Sequence, residues 1–140
     1  MLAASATSRP PTATAATEYR PGVCNIGPQE IARRRRAGHA GLVATIALFA
    51  ILVAVDAPAI ARLLVALPAA AAASGYLQAA LKFCAGFGSR GTFNFGEIGA
   101  TTSVEDATDR ARDRRRAGQI GVMCLAVGVA AGVAAALLPL

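Results

Sequence analysis

The string Arg-Arg-Arg-Ala-Gly occurs twice in the chain, at residues 34–38 and 114–118, and each copy leads directly into a long apolar run. A block of fixed positive charge in front of a lipid-length segment marks the cytoplasmic end of a transmembrane helix. The sequence therefore predicts an all-α integral membrane protein, and the two arginine blocks constrain how the chain threads the bilayer.

Three segments are candidates for membrane-spanning helices, at about residues 37–55, 60–82 and 117–138. A helix needs about 20 apolar residues to cross a hydrocarbon core about 30 Å thick. Pro68 interrupts the second segment, but neighbouring helices can satisfy the backbone groups that a proline frees in a membrane. Because only Asp56-Ala57-Pro58 joins the first two segments, they are expected to form a helical hairpin, and the third span follows it.

The orientation follows from the basic residues. Thirteen of the fourteen Lys and Arg precede the first span or lie between the second and third, and only Arg62 lies on the other side, where it is expected to form a surface pair with Asp56 or to snorkel. The positive-inside rule then predicts a cytoplasmic N-terminus and a C-terminus outside. The residues expected to set topology and to contact lipid are Arg33, Arg34, Arg35, Arg36, Arg112, Arg114, Arg115 and Arg116.

The net charge of +6 is explained by these juxtamembrane arginines. Each can gain roughly 1 kcal/mol against an anionic leaflet, so anionic headgroups are the expected partner. The basic stretches carry no interleaved aromatic residues and match no nucleic-acid module. The sequence therefore predicts no nucleic-acid partner.

The remaining segments surround the spans. Residues 1–24 are expected to be a disordered tail, because the first twenty contain almost no large apolar residue. Residues 25–96 form the predicted hairpin domain, in which a helix starts near Pro28 with Glu30 in its first turn and a Phe/Gly-rich interfacial loop covers 83–96. Residues 97–140 contain a charged cytoplasmic helix and the third span.

The charged helix has its own predicted start. Ser103 provides an N-cap, and the acidic residues after it form the first turn. Three pairs have the spacing of helical ion pairs; they are Asp106/Arg110, Asp109/Arg112 and Asp113/Arg116.

Small residues favour close helix packing. Gly128 and Gly132 form a GxxxG motif in the third span, and Ala71 and Gly75 have the same spacing in the second. Such motifs allow helix backbones to approach within one chain or between protomers. A homo-oligomer or a larger membrane complex is therefore one predicted assembly.

Cys24, Cys84 and Cys124, with His39, are candidates for a thiol or soft-metal site, because all four can lie near the cytoplasmic membrane face. The alternative is that the cysteines are small apolar packing residues in a compartment that keeps thiols reduced. None of them has C-x-x-C spacing, which favours the packing interpretation. No cofactor is predicted, and a soft metal is the alternative.

The motif Asn-x-Gly precedes both arginine blocks, as Asn25-Ile26-Gly27 and Asn94-Phe95-Gly96. This duplication has two interpretations, an internal repeat or convergence imposed by membrane insertion. Both remain open from the sequence.

Several features follow one another in a set order: Asn25 and Gly27, an arginine run with Arg35 and Gly38, two apolar helices, and Cys84. This order resembles that of a small transmembrane domain of unknown function. That domain is found in inner-membrane rhodanese proteins and in short stand-alone bacterial membrane proteins, and the resemblance covers about residues 24–96. It implies a bacterial plasma membrane location. Sulfur transfer in the rhodanese members belongs to a separate soluble domain that these residues do not contain.

The sequence therefore predicts a non-enzymatic scaffold or accessory membrane module with a basic cytoplasmic face, because the spans contain no paired carboxylates or other catalytic constellation. The alternative function is a thiol or soft-metal site at the cytoplasmic face, linked to sulfur or redox handling.

Overall fold

A computed structural model describes residues 18–140, so most of the predicted tail, residues 1–24, lies outside the described residues. The chain is mostly helical. In order, its elements are α1 (Pro28–Ala54), α2 (Ala59–Arg62), a 3-10 turn (Leu63–Val65), α3 (Ala66–Leu81), α4 (Ala85–Arg90), β1 (Thr92–Phe93), β2 (Thr102–Ser103) and α5 (Ala107–Leu137).

Within residues 18–140, three helical stretches are long and apolar enough to cross a membrane: Pro28–Ala54, Ala59–Leu81 and Ala107–Leu137. They carry many exposed large apolar side chains, among them Val43, Ile46, Leu125 and Val129. Apolar surface of this extent is unfavourable in water but is solvated well by acyl chains. This architecture supports a membrane protein and confirms the predicted class of three apolar helices.

The first helix begins where the sequence predicts, with Pro28 at its first position. The proline is favourable there because the first N–H groups of a helix have no partner within the helix. At the second predicted span, the chain passes through α2 and the 3-10 turn before α3 begins. Since Pro68 cannot donate to the carbonyl of Leu64, the tighter turn before it avoids a regular helical bond at that point.

α3 packs against α1 through small residues. A Cβ added to Gly75 would overlap the backbone of Gly38, and one added to Gly41 would lie 2.6 Å from the backbone nitrogen of Ala72. Gly75 of the predicted small-residue pair therefore packs against α1. Its predicted companion, Ala71, is exposed, and the neighbouring Ala72 occupies the packing position.

α5 packs on another part of α3 through the GxxxG motif. A Cβ at Gly128 would lie 2.7 Å from the carbonyl oxygen of Ala66, and one at Gly132 would lie 2.9 Å from that of Leu63. The motif is therefore used within the chain. It belongs to a buried stripe that recurs every three or four residues along the helix: Asp113, Ala117, Ile120, Cys124, Gly128, Gly132 and Ala135.

The predicted charged helix and the third span form one uninterrupted helix, α5. Its N-cap is Asp106, whose carboxylate accepts hydrogen bonds from the backbone nitrogens of Thr108 and Asp109 at 2.8 and 2.9 Å. The prediction of Ser103 as the cap is wrong, because Ser103 lies in β2 and pairs with Thr92 in β1.

The three predicted ion pairs of this helix have different outcomes. Arg112 lies 4.0 Å from Asp109, as predicted. Arg110 instead donates to the carbonyl oxygens of Val104 and Glu105, both at 2.8 Å. Arg116 donates to the Gln119 side chain at 3.4 Å, and Asp113 is buried with other partners.

The Phe/Gly-rich segment 83–96 is not an irregular loop throughout, because Ala85–Arg90 forms α4. The Cys84 sulfur accepts from the backbone nitrogen of Phe87 at 3.5 Å, which satisfies one of the free N–H groups at the helix start. Phe83 and Phe87 are buried. Their burial offsets the entropy that the glycines lose on ordering, which the local sequence alone does not reveal.

The opposite end of the bundle is fixed by Arg62, which is only 7% exposed. Its guanidinium donates to the backbone oxygens of Leu138 and Leu140 at 2.9 and 3.0 Å, and its Nε donates to that of Ala57 at 3.3 Å. The predicted surface pair with Asp56 is therefore wrong, because Arg62 binds the carbonyl groups at the end of α5. Carbonyl oxygens there have no partner within the helix and attract a cation.

The packing of α1 on α3 gives a test with a matched control. Gly75→Ala is expected to lower the free energy of unfolding by about 1–3 kcal/mol, because the added methyl group requires the two backbones to separate. Gly121→Ala adds the same group to the same kind of helix in open space, and is expected to be neutral or stabilising by up to about 1 kcal/mol. Denaturant titration in detergent measures both, and equal effects would contradict the packing.

Candidate functional site at the basic end of the bundle

The two Asn-x-Gly motifs pair with each other. The backbone nitrogen of Gly27 donates to the Asn94 carbonyl at 2.8 Å, and that of Asn94 donates to the Asn25 carbonyl at 3.0 Å. This is a parallel bridge between Ile26 and Asn94. A Cβ at Gly27 would lie 2.9 Å from the Phe95 Cα, so the close contact of the two strands requires a glycine.

The Asn25 side chain joins the start of α1 to the connection between α3 and α4. It is fully buried; its Oδ1 accepts from the Cys84 backbone nitrogen at 2.6 Å, and its Nδ2 donates to the Cys84 carbonyl at 3.0 Å. Asn94, also buried, accepts from the Gly96 backbone nitrogen at 2.9 Å and donates to the Glu97 carbonyl at 2.8 Å. Each amide thus bridges backbone groups of a connecting segment, and the Cys84 carbonyl also accepts from the Gly88 backbone nitrogen at 2.9 Å.

Arg34 lies between a carboxylate and a thiol. Its guanidinium is 3.7 Å from the carboxylate of Glu30, which is fully buried, and 2.9 Å from the Cys84 sulfur. Arg34 also lies 6.0 Å from the ring centroid of Phe87. The Cys84 sulfur thus contacts a guanidinium and lies near a backbone N–H of α4, and Cys84 is only 2% exposed.

The segment just before α1 contacts α5. Asp113 is fully buried, and its two carboxylate oxygens accept from the Gly22 backbone nitrogen and the Tyr19 hydroxyl, each at 2.7 Å. The Tyr19 ring stacks on Phe93 with centroids 4.7 Å apart. Partial burial, followed by the hydrogen bond to Asp113, raises the pKa of Tyr19 above its usual value near 10. The part of the predicted tail within 18–24 is therefore ordered by these contacts.

The four candidate metal or thiol residues have different surroundings. Cys24 and Cys84 are buried at the basic end, and the Cys24 thiol points to the Ile26 carbonyl at 3.8 Å. Cys124 is buried within α5 against Phe83. His39 is exposed and shares a 2.6 Å hydrogen bond with the Tyr76 hydroxyl. Within residues 18–140, no group of three or more His, Cys, Asp or Glu is arranged to hold a metal ion.

Most of the eight arginines predicted to set topology and to contact lipid are exposed. The side chains of Arg33 and Arg112 are 54% and 64% exposed. Arg34 differs, since it is turned inward to Cys84. The exposed members are Arg33, Arg35, Arg36, Arg112, Arg114 and Arg115, and Arg116 is half-buried.

Comparison with known proteins identifies no relative. No family model matches the chain, and no curated protein or solved structure gives a match. The resemblance to the rhodanese-associated transmembrane domain stays a prediction.

No role in this end of the bundle was predicted from the sequence for Asn25, Asn94 and Asp113. A signal was present for the two asparagines, because the same Asn-x-Gly motif precedes both arginine blocks. For Asp113, the only local signal favoured Arg116, three residues away. Its true partners lie more than ninety residues earlier in the chain.

The hydrogen bonds of Asn25 predict that replacing this residue with alanine lowers the stability of the protein. Asn25→Ala leaves the buried backbone N–H of Cys84 without this partner, while the Cys84 carbonyl keeps its bond from Gly88, and is expected to lower the free energy of unfolding by about 1–3 kcal/mol. Gln29→Ala, at an exposed position of the same helix start, is the control and is expected to change it by less than about 0.5 kcal/mol. Denaturant titration in detergent distinguishes them, and an unchanged Asn25→Ala midpoint would refute this role.

The raised pKa of Tyr19 predicts a loss of stability in base. Above pH about 10 the unfolded tyrosine loses its proton, whereas the folded one retains it, so the stabilisation is complete below that pH and decreases as the pH rises. Tyr19→Phe lacks this ionisation and is expected to have a shallower decline. Thermal unfolding of both proteins between about pH 8 and pH 11 measures the difference, and parallel curves would contradict it.

Proposed function

We propose that the protein is a non-enzymatic integral membrane module, a scaffold or accessory subunit, whose helices anchor a compact basic head at the cytoplasmic face of a bacterial plasma membrane. The observation that carries this proposal is the contrast between what the basic end buries and what it exposes. Most of its buried polar side chains bind the chain's own backbone, and buried Glu30 lies beside Arg33 and Arg34. Guanidinium groups predominate among its exposed charges.

The buried set is committed to the fold. Asn25, Asn94 and Asp113 each accept from or donate to backbone groups, as described above. Gln78 accepts from the Ala85 backbone nitrogen at 2.9 Å and donates to Ser74. Because these polar groups hold helix ends and connecting segments in place, they are not available to bind or transform a substrate.

The exposed set is suited to anionic partners. The arginines at the starts of α1 and α5 lie at one end of the bundle, and their planar guanidinium groups bind phosphate and carboxylate oxygens in pairs. Lipid headgroups and acidic segments of a partner protein both carry such oxygens. The proposal is therefore a membrane anchor whose basic head recruits or positions an anionic partner.

The orientation in this proposal places the N-terminus in the cytoplasm, because the positive-inside rule retains Lys- and Arg-rich ends there. It is tested in a variant whose three cysteines are serines and which carries one new cysteine, Ala59→Cys or Ser89→Cys, both at exposed positions. In intact spheroplasts, a membrane-impermeant thiol reagent is expected to label Ala59→Cys only. Labelling of Ser89→Cys only would reverse the orientation and overturn this part of the proposal.

A second candidate function is a thiol or soft-metal site at the same face. It is favoured by one observation, the position of the Cys84 sulfur 2.9 Å from Arg34 and 3.5 Å from the Phe87 backbone nitrogen. The resemblance to a rhodanese-associated domain also supports sulfur handling. This function requires the head to open, since the thiol is enclosed.

Cysteine variants separate the two functions. Cys84→Ser is expected to fold normally because a serine oxygen caps a helix well, whereas Cys84→Ala is expected to cost about 0.5–2 kcal/mol. The scaffold proposal predicts that the variant with all three cysteines changed to serine folds and assembles as the native protein does. Loss of assembly on Cys84→Ser alone, with folding intact, would support the thiol function.

Purification in mild detergent under reducing conditions provides the direct test. Elemental analysis and alkylation mass spectrometry on the same sample measure bound metal and thiol reactivity. The scaffold proposal predicts no stoichiometric metal and slow labelling of Cys84. A stoichiometric soft metal, or labelling of Cys84 faster than that of Cys124, would overturn it in favour of the second function.

A further inference from the structure

Two glycines at the start of the apolar part of α5 differ from the others in the long helices. Five of those others lie against a neighbouring helix: Gly38, Gly41, Gly75, Gly128 and Gly132. At Gly118 and Gly121, an added Cβ would meet no atom of residues 18–140 within 4 Å. Helix packing within the chain therefore does not explain these two positions.

A shallow, open groove of about 520 Å³ lies on the surface of this part of α5, and every residue that lines it belongs to this helix. Its lining is Arg116, Gly118, Gln119, Val122 and Met123. Gly118 has no side chain to fill this surface, and Val122, which is 68% exposed, forms part of its apolar side. The groove is thus basic and polar at one end and apolar at the other.

The polar end has unused hydrogen-bonding capacity. Arg116 makes one long contact, from its guanidinium to the Gln119 side-chain oxygen at 3.4 Å. Its Nε has no hydrogen-bond partner among residues 18–140 but is enclosed, so a phosphate in the groove would meet the terminal nitrogens of the guanidinium. An arginine fork beside an amide is a geometry that binds a phosphate through paired hydrogen bonds.

The chemistry of the groove matches an amphiphilic ligand. Met123 lies seven residues beyond Arg116, about 10 Å further along the helix axis at 1.5 Å per residue. A ligand with an anionic head and a hydrocarbon chain would therefore satisfy both ends at once. A second copy of the chain fits less well, because the arginines beside this groove would face those of the partner at close range.

We propose that this groove is a binding site for one anionic phospholipid, with its phosphate on Arg116 and Gln119 and one acyl chain along Gly118, Val122 and Met123. This inference rests on the proposed membrane placement, in which the basic end meets the anionic leaflet. It adds a discrete site to what would otherwise be a diffuse attraction between arginines and headgroups.

Native mass spectrometry of the full chain in neutral detergent tests the proposal. The probes are phosphatidylglycerol and phosphatidylcholine with identical acyl chains. The expected result is one retained phosphatidylglycerol, bound about tenfold more tightly than phosphatidylcholine, a ratio that corresponds to about 1.4 kcal/mol. Equal retention of the two lipids would overturn the role of the charge.

Two variants and two controls locate the site. Arg116→Gln removes the charge, and Gly118→Leu fills the groove while the charge remains; each is expected to weaken phosphatidylglycerol binding about tenfold. Lys82→Gln removes an exposed charge outside the lining, and Gly121→Leu adds the same side chain outside the lining, so both are expected to change binding less than about twofold. An effect of Lys82→Gln equal to that of Arg116→Gln would show diffuse attraction and refute the site.

Two further measurements identify what occupies the groove. Inorganic phosphate at millimolar concentration is expected to leave the lipid bound, because it lacks the acyl chain; displacement would show a phosphate site without a lipid. A dimer mass that Gly118→Leu abolishes would assign the groove to a second copy. All variants are compared by thermal unfolding to confirm their folding. The labelling experiment on membrane orientation is independent, so failure of the lipid site alone leaves the proposed function standing.

Discussion

Close contact between helix backbones is the constraint on which the structure depends. In lipid, apolar side chains gain little by leaving their surroundings, so helices associate through van der Waals contact and hydrogen bonds. α3 meets this requirement with Gly75 and Ala72 toward α1, and with Ala66 and Ala70 toward Gly128 of α5. The large side chains are then free to face outward, which gives the helices their exposed apolar surface.

The basic end follows from that packing. Because Gly38 and Gly75 bring α1 and α3 close together, the segments around Asn25, Cys84 and Asn94 pack against each other and are buried. The side chains of Asn25 and Asn94 provide the missing hydrogen bonds. The pairing of the two Asn-x-Gly motifs gives the duplication a structural role, whether it arose by repetition or by convergence.

The sequence was sufficient for the features that local chemistry determines. The apolar runs and Pro28 identify the three helices and the start of α1, since hydropathy and the preferences of a helix terminus act over a few residues. It was insufficient where a partner is distant. Asn25 binds a residue 59 positions away, and Asp113 binds Tyr19 from 94 positions away, although an arginine at helical spacing was available. Arg62 was assigned to the wrong partner for the same reason.

Arg62 also has a consequence for biogenesis. Two of its three hydrogen-bond acceptors, the backbone oxygens of Leu138 and Leu140, lie 76 and 78 positions later in the chain. During synthesis, the hairpin of α1 and α3 therefore exists for some time with this guanidinium lacking those acceptors. Insertion of α5 supplies them and closes the bundle. Arg62 thus couples insertion of α5 to stability, and a product in which α5 fails to insert would retain an uncompensated cation that quality-control proteases can exploit.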